Sequence, residues 1–150
     1  MEIKQIGPVN FLYFKAETRL YELPEFIRGV PRALHLEAAK HSLEITGPVY
    51  WNYFSFDDCP EFFHLEIAVP IAELPAGYAG NFHLKRSAPF KCLSTFHYGS
   101  WRNIPITYQK LGAYIHSHQL KKLYSHRQIF IHCDFENPDS NFTELQIGIQ

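Results

Sequence analysis

Apolar and polar side chains alternate along the end of the chain, which is the pattern of a β-hairpin. We predict one strand over 127–133, a turn over 134–141 and a second strand over 143–149. Successive side chains of a strand point to opposite faces, so each strand contributes to both faces of the hairpin. The apolar face is predicted to comprise Ile129, Ile131, Leu145, Ile147 and Ile149. The other face mixes aromatic and polar groups, namely Gln128, Phe130, His132, Glu144, Gln146 and Gly148.

A similar stretch occurs about 80 residues earlier in the chain, roughly half its length away. A strand and turn over 46–58 parallel the first strand and turn of the closing hairpin, and a strand over 62–70 parallels the second. Residues 65–69 align with residues 145–149 without a gap. This spacing argues for an internal duplication, and a chance match between short β patterns is the alternative.

The remaining segments follow the same order in both halves. The first half is predicted to begin with a strand over 9–15 and a helix from Glu22 to about His41, interrupted near Gly29 and Pro31. The second half is predicted to have a strand over 91–98 and a helix over about 104–118. Each half therefore reads as strand, helix, strand, strand.

Two such halves predict an α+β fold, a duplicated pair of βαββ repeats with an antiparallel sheet, two main helices and a ligand cleft between the halves. One domain should span residues 1–150, with the first repeat at about 8–72 and the second at about 80–150. A chain of 150 residues is long enough to bury the core of one domain.

The charge and cysteine content narrow the function classes. The net charge is −1, so no basic field points to nucleic acid, and we expect no direct nucleic-acid binding by this chain. No apolar run is long enough to span a bilayer, and the N-terminus has no signal-peptide core. The three cysteines form no CxxC motif, and an odd count favours a reducing compartment. We therefore expect a soluble cytoplasmic protein that does not act at a membrane.

An aromatic content of 16% suits either an aromatic core or an aromatic-lined pocket. Strand alternation predicts that the mixed faces of the two hairpins form the pocket, and a solvated sheet face with cross-strand pairs is the alternative. Trp101 and Tyr108, near the start of the second helix, would close one end or belong to the core. The predicted ligand-binding residues are Trp51, Tyr53, His64, Glu66, Trp101, Tyr108, Gln128, Phe130, His132, Glu144 and Gln146.

Catalytic and metal chemistry have little support in the sequence. Nine histidines are present, but they do not show recognisable zinc-ligand spacing, so we predict neither a metal site nor a cofactor. No Ser or Cys lies in a G-x-S-x-G elbow, and we assign no catalytic residue. The acidic stretch Asp57-Asp58 with Glu61 is interpreted as a solvated loop.

Several short motifs occur in order along the two predicted repeats. The first repeat contains Gly47-Pro48 and EIAVPI at 66–71. The second contains HYGSW at 97–101, YQKL at 108–111, RQIFI at 127–131, NP at 137–138 and TELQI at 143–147. Together these motifs resemble the GyrI-like small-molecule-binding domain, also called the AraC-type effector-binding domain, over nearly the whole chain. The resemblance implies two βαββ repeats with a ligand cleft between them, in a protein that is part of a transcription regulator or that binds and sequesters drug-like molecules.

The chain departs from the family pattern at Gln128 and Phe130, where the family commonly has a glutamate and a tyrosine. In the family that glutamate is associated with cationic ligands and, in one branch, with hydrolysis. Glutamine does not ionise, so it cannot be the general base. We therefore expect a stand-alone sensor or sequestering module for an aromatic or amphipathic molecule, with multidrug binding as in the family.

Three further readings stay open at this point. A hydrolase of small electrophilic compounds is one alternative, with Glu66 and Glu144 as the remaining carboxylates. A haem or tetrapyrrole binder of the SOUL type, which has a similar fold, is another and would need an axial histidine such as His64 or His132. An interaction protein that has lost its ligand is the third. A homodimer and a regulatory protein partner are both compatible with the sequence.

Overall fold

Eight antiparallel strands form one open sheet, in the order β1-β6-β8-β7-β3-β4-β2-β5. The computed structural model describes residues 1–26, 29–56 and 59–150. The strands are β1 Glu2–Ile6, β2 Asn10–Arg19, β3 Val49–Phe56, β4 Cys59–Pro70, β5 His83–Arg86, β6 Phe90–Tyr98, β7 Lys122–His132 and β8 Phe142–Ile149. This sheet and two main helices give the predicted α+β architecture.

The helices are α1 Gly29–Lys40 and α2 Ile104–Ser117, each preceded by a 3₁₀ turn, over Leu20–Phe26 and Trp101–Asn103 respectively. A third 3₁₀ turn covers Pro138–Ser140 in the closing hairpin. Both α-helices end in the same way: Ser42 and Gln119 adopt positive φ angles of 55° and 53°. The next amide then turns back, so that Leu43 donates to the Ala38 carbonyl and Leu120 to that of Ile115. This six-to-one bond is the Schellman stop signal.

Within the range predicted as one helix from Glu22, the structure has the 3₁₀ turn over Leu20–Phe26 and an α-helix that begins at Gly29. Pro31 is accommodated in its first turn, where an amide hydrogen is not needed. Ile27, which falls in the predicted helix, and the acidic pair Asp57-Asp58 lie outside the described residues.

Two short edge strands, β1 and β5, were not predicted from the sequence. Each half has the expected core of strand, helix, strand, strand, but β1 pairs with β6 of the second half and β5 pairs with β2 of the first. The two strands are only five and four residues long, and β5 contains a single apolar residue, Leu84. Too few side chains alternate to reveal them, and the exchange of edge strands ties the halves together.

The apolar core lies between the sheet and the helices, in two clusters that repeat the halves. The first cluster packs α1 on β2, β3 and β4, and its most buried members are Leu12, Leu34, Leu65, Ile67 and Val69. The second packs α2 on β6 and β8, and is built from Leu93, Ile104, Leu111, Ile115, Leu145 and Ile147. Each fully buried Leu or Ile contributes about 1.5–3 kcal/mol. The apolar faces predicted for 65–69 and 145–149 are therefore the ones that meet the helices.

The opposite face of the sheet, here called the far face, carries a buried polar row. The pairing register places five side chains next to one another across it, Glu66, Asn52, Arg127, Gln146 and Ser94. All five are at most 8% exposed. The guanidinium of Arg127 lies 4.1 Å from the centre of the Phe90 ring, which covers it.

A lysine from each edge strand forms an ion pair with a carboxylate on this face. Lys4 of β1 donates to Glu144 of β8 at 2.7 Å, and Lys85 of β5 pairs with Glu66 of β4. Burial alone would raise the pKa of Glu144, but hydrogen bonds from Lys4, Ser94 and Gln146 outweigh it and lower that pKa. The exchanged edge strands are thus held by charge as well as by backbone pairing.

The connection between the halves is fastened to α1 through one carboxylate. Glu37 accepts hydrogen bonds from the Tyr78 hydroxyl at 2.8 Å and from the Asn81 amide at 3.1 Å. Gly80 lies against this contact: a β-carbon built there would lie 2.8 Å from the Glu37 carboxylate and closer still to the Tyr78 hydroxyl. A glycine is needed here because Glu37 and Tyr78 already fill the space that a side chain would occupy.

We expect Gly80→Ala to lower the free energy of unfolding by about 1–3 kcal/mol, since the added methyl group must displace Tyr78 from Glu37. Chemical denaturation of wild type and variant measures the change. Gly112→Ala is the matched control, because nothing lies within 4 Å of that position in α2. There the alanine should raise the stability by about 1 kcal/mol through helix propensity. A neutral Gly80→Ala would contradict the packing described.

We also expect Lys4→Met to cost roughly 1–3 kcal/mol at pH 7, because Glu144 is then left buried without its cation. A carboxyl whose pKa is lowered by folding stabilises the folded state at pH values above its ordinary pKa of 4.5. This stabilisation is lost as the pH falls through the pKa of the folded state. The difference between wild type and variant should therefore shrink below pH 4.5. Urea titrations from pH 3 to 7 measure it, with exposed Lys110→Met as control. A pH-independent difference would contradict the ion pair.

Candidate functional site

A cavity of about 990 Å³ lies on the helix face of the sheet, at the line where the two halves meet. Its floor comes from β3 and β7, the strands that join the halves, and its walls from the starts of both helices. The lining residues are Leu23, Pro31, Val49, Trp51, Tyr53, Ser55, Phe63, Trp101, Ile104, Pro105, Tyr108, Gln109, His126, Gln128, Phe130, Cys133 and Phe135.

The register between β3 and β7 builds the floor of the cavity. Val49 pairs with Phe130, Trp51 with Gln128 and Tyr53 with His126. These are alternate residues of two antiparallel strands, so all six side chains point to the same face. Three consecutive cross-strand pairs thus place four aromatic or imidazole rings and one amide beneath the helices.

Edge-to-face aromatic contacts form one wall of the cavity. The Phe130 ring lies 5.7 Å from Trp51 and 5.4 Å from Trp101, at 72° and 77°. Trp101 also meets Phe135 edge to face at 5.6 Å. The indole nitrogen of Trp101 donates to the Thr143 hydroxyl at 3.2 Å, which fixes the ring over the floor. Such rings offer flat apolar surfaces and favour planar ligands.

The polar groups of the cavity form a short hydrogen-bonded chain. The Tyr53 hydroxyl donates to the Gln128 amide oxygen at 3.4 Å, and the Gln128 amide nitrogen donates to the Tyr108 hydroxyl at 3.2 Å. The His126 ring stacks on Tyr53 at 4.7 Å and 7°, and meets the edge of Tyr108 at 5.6 Å. Gln128 is held between two tyrosines from different elements.

The described lining of the cavity carries no charge near neutral pH. Among the residues that the structure describes, those that line it include no Asp, Glu, Lys or Arg. Burial raises the pKa of Tyr53 and of Tyr108, and burial, followed by the nearby Lys122, lowers the pKa of His126 to about 4. Both phenols and the imidazole are therefore neutral. These described residues can surround an aromatic ring and exchange a few hydrogen bonds with a polar group on it, but none of them is a counterion.

Six of the predicted ligand-binding residues lie together in this cavity, namely Trp51, Tyr53, Trp101, Tyr108, Gln128 and Phe130. They come from both halves and from three kinds of segment. Trp101 and Tyr108 close one side from the 3₁₀ turn and from α2, as proposed for one end of the pocket.

The other predicted residues do not line the cavity. His64, Glu66, Glu144 and Gln146 lie on the far face, because β4 and β8 pair out of the assumed phase: Trp51 is opposite Ile67, and Gln128 is opposite Leu145. Alternation fixes which residues of one strand share a face, whereas the pairing register decides which faces of two strands coincide. The assumption that the mixed faces of paired strands coincide was therefore wrong in both hairpins.

His132 is exposed, beyond an irregularity in the pairing of β7 with β8 that follows Phe130. Neither His132 nor His64, the histidines considered as axial ligands of haem, lines the cavity. His126 does, and it was missed because the strand was predicted to begin at 127, whereas β7 begins at Lys122. A strand extended by five residues would have placed His126 on the face of Gln128. Within the described ranges, no cluster of three or more metal-ligating side chains occurs.

The chain was compared with protein families, curated proteins and solved structures. No family model matches, and no curated protein matches. Over the part of the chain that the structure describes, no helix is long and apolar enough to cross a membrane.

Solved structures match over 99% of this chain. SAV2435 bound to tetraphenylphosphonium superposes with a TM-score of 0.70 at 14% identity, over 93% of that chain. The C-terminal domain of EcmrR superposes with a TM-score of 0.79 at 15% identity over 96% of its length, and EcmrR in a complex with DNA with 0.78 at 14% over 56%. A hydrolase encoded by lin2189 from Listeria innocua superposes with 0.63 at 13% identity over 91% of its length.

At these identities the likeness concerns the fold. The superposition with effector-binding domains over nearly the full length agrees with the two repeats, the open eight-stranded sheet and the two helices described above. The chain therefore has the GyrI-like fold that its sequence resembles.

Proposed function

We propose that this protein binds a small, largely aromatic organic molecule in the cavity between its halves, as a sensor or sequestering module. The observation that carries the proposal is the aromatic-lined cavity of about 990 Å³, whose described lining residues are uncharged. Cavities of this size, apolar with a few convergent polar groups, are typical of small-molecule sites. The structure of SAV2435 bound to tetraphenylphosphonium adds support, since that protein has the same fold and holds an aromatic ligand.

We expect this chain to prefer neutral ligands over cationic ones. Gln128 occupies the middle of the cavity floor and is neutral, and the carboxylates Glu66 and Glu144 lie on the far face, where lysines already pair with them. Over the lining that the structure describes, a cation would be attracted by aromatic faces alone, at about 0.5–2 kcal/mol. Neutral and weakly polar ligands are therefore favoured over cations of the same shape.

A link to transcription regulation is the corresponding biological role. EcmrR joins a domain of this fold to a segment that this chain does not match, and it was solved in a complex with DNA. We propose that the present chain senses or sequesters its ligand without contacting DNA itself, in the cytoplasm, and that any output on transcription passes through a protein partner.

We further propose that the protein binds its ligand without turnover. The Listeria innocua hydrolase has a similar fold, but hydrolysis needs a positioned base, and no carboxylate is among the described residues that line the cavity of this chain. Glu66 and Glu144, the alternative candidates for that base, are separated from the cavity by the sheet. Incubation of the wild type with activated esters and epoxides should leave these compounds unchanged beyond the buffer rate.

Position 128 provides the test of the proposed site. We expect Gln128→Glu to strengthen binding of 1-methylquinolinium by roughly 1–3 kcal/mol, the scale of hydrogen bonds and contacts to a charged group. Binding of its neutral isostere 1-methylnaphthalene should not increase. Calorimetric titration of both compounds into wild type and variant measures the four affinities, and the melting temperature should rise with each ligand that binds.

Gln146→Glu is the control for an added carboxylate outside the cavity, because Gln146 is also a strand glutamine but lies on the far face. It should leave the affinity of both compounds unchanged. Equal gains for the cation in the two variants would mean that position 128 does not contact the ligand. Failure of a broad set of planar aromatic compounds to bind the wild type would refute the proposed function.

A further inference from the structure

His126 is a polar residue of the cavity whose ring has a fixed position but no hydrogen-bond partner among the described residues. Its ring is fixed by stacking on Tyr53 at 4.7 Å and by the edge of Tyr108 at 5.6 Å. Its backbone is fixed on both sides, because His126 pairs with Tyr53 of β3 and with Ile147 of β8. The ring therefore has a defined orientation in a rigid part of the sheet.

The neighbouring polar groups are engaged with one another, and His126 is not. Tyr53, Gln128 and Tyr108 form a hydrogen-bonded chain. Across residues 1–26, 29–56 and 59–150, no hydrogen bond is found for either ring nitrogen of His126, and neither nitrogen is enclosed by protein. Since His126 lines the cavity, its nitrogens are open to a ligand there.

A neutral imidazole has one nitrogen that accepts a hydrogen bond and one that donates. Close by, the Tyr108 hydroxyl accepts from Gln128 and still has its own hydrogen to donate. A hydroxyl group of a ligand both donates and accepts hydrogen bonds. One such group placed between the two rings would therefore donate to the His126 nitrogen and accept from the Tyr108 hydroxyl. A methyl group in the same place leaves the accepting nitrogen of His126 desolvated and unpaired.

We infer that His126 selects the ligand, and that the cavity takes uncharged planar aromatic molecules that carry a hydroxyl group, which donates to the free nitrogen of His126 and accepts from Tyr108. The inference rests on the proposed small-molecule function and names the chemical class of its ligand. Aromatic walls provide affinity for any flat ring, whereas the imidazole separates hydroxylated rings from plain ones, because loss of a partner for a buried polar group is costly.

The test uses 2-naphthol, which is neutral at pH 7, and 2-methylnaphthalene, in which a methyl group replaces the hydroxyl. The wild type should bind 2-naphthol about ten-fold to a hundred-fold more tightly, the range expected for leaving a buried polar group unpaired. His126→Phe keeps a ring that can stack on Tyr53 but removes both nitrogens. It should lose this preference and bind 2-methylnaphthalene within about two-fold of the wild type.

His118→Phe is the matched control, because His118 also stacks on a tyrosine, Tyr114 at 3.8 Å, but is exposed at the end of α2. It should keep the full preference. A measurement on the wild type covers the case in which His126→Phe does not fold. In an NMR titration of the wild type, 2-naphthol, and not 2-methylnaphthalene, should shift the ¹⁵N resonance of the accepting nitrogen of His126.

The outcomes separate the two proposals. If the wild type binds both probes equally well, or if His126→Phe keeps the preference, His126 does not select the ligand, and the small-molecule function stands. An unshifted His126 resonance in the presence of bound 2-naphthol has the same meaning. If the folded wild type binds neither these probes nor any other aromatic compound, the proposed function fails and the inference fails with it.

Discussion

The pairing of β3 with β7 is the contact on which the rest of the structure depends. These strands are the only pair in the described sheet that joins the core strands of one half to those of the other, since the edge strands cross separately. The same pairing places Trp51 opposite Gln128 and Tyr53 opposite His126, and so makes the floor of the cavity. Fold and site thus share one set of backbone hydrogen bonds, and a displacement of this register would remove the cavity as well as the interface between halves.

The sheet also separates two electrical environments. On its far face, buried charges are paired or stacked: Lys4 with Glu144, Lys85 with Glu66, and Arg127 on Phe90. On its helix face, the cavity is lined by neutral groups, and burial keeps Tyr108 and His126 uncharged. Charges are costly to bury without partners, so they lie where the edge strands can supply lysines. The cavity is left to shape, aromatic surface and a few hydrogen bonds.

The aromatic residues were predicted better than the charged ones, for a physical reason. Alternation within a single strand is enough to place Trp51 and Tyr53 on one face of β3, and Phe130 on the same face of β7 as Gln128. Glu66 and Glu144 were grouped with them on the assumption that polar faces of paired strands coincide. The ion pairs with Lys4 and Lys85 show why they do not: the partners come from edge strands too short to be seen in the pattern.

The sequence by itself determined the order of the core elements, the duplication at a spacing of about 80 residues, and the apolar faces of 65–69 and 145–149, since each depends on local alternation or helical periodicity. The prediction that Ile129 shares the face of Leu145 was wrong, because Ile129 lies opposite Glu144 on the far face. Tertiary structure alone decided the register between strands, the exchange of β1 and β5, and the contacts of His126 and Gln128 with Tyr108. Those features depend on which strands become neighbours. That choice is made by burial summed over the whole sheet, and no single segment of the sequence contains it.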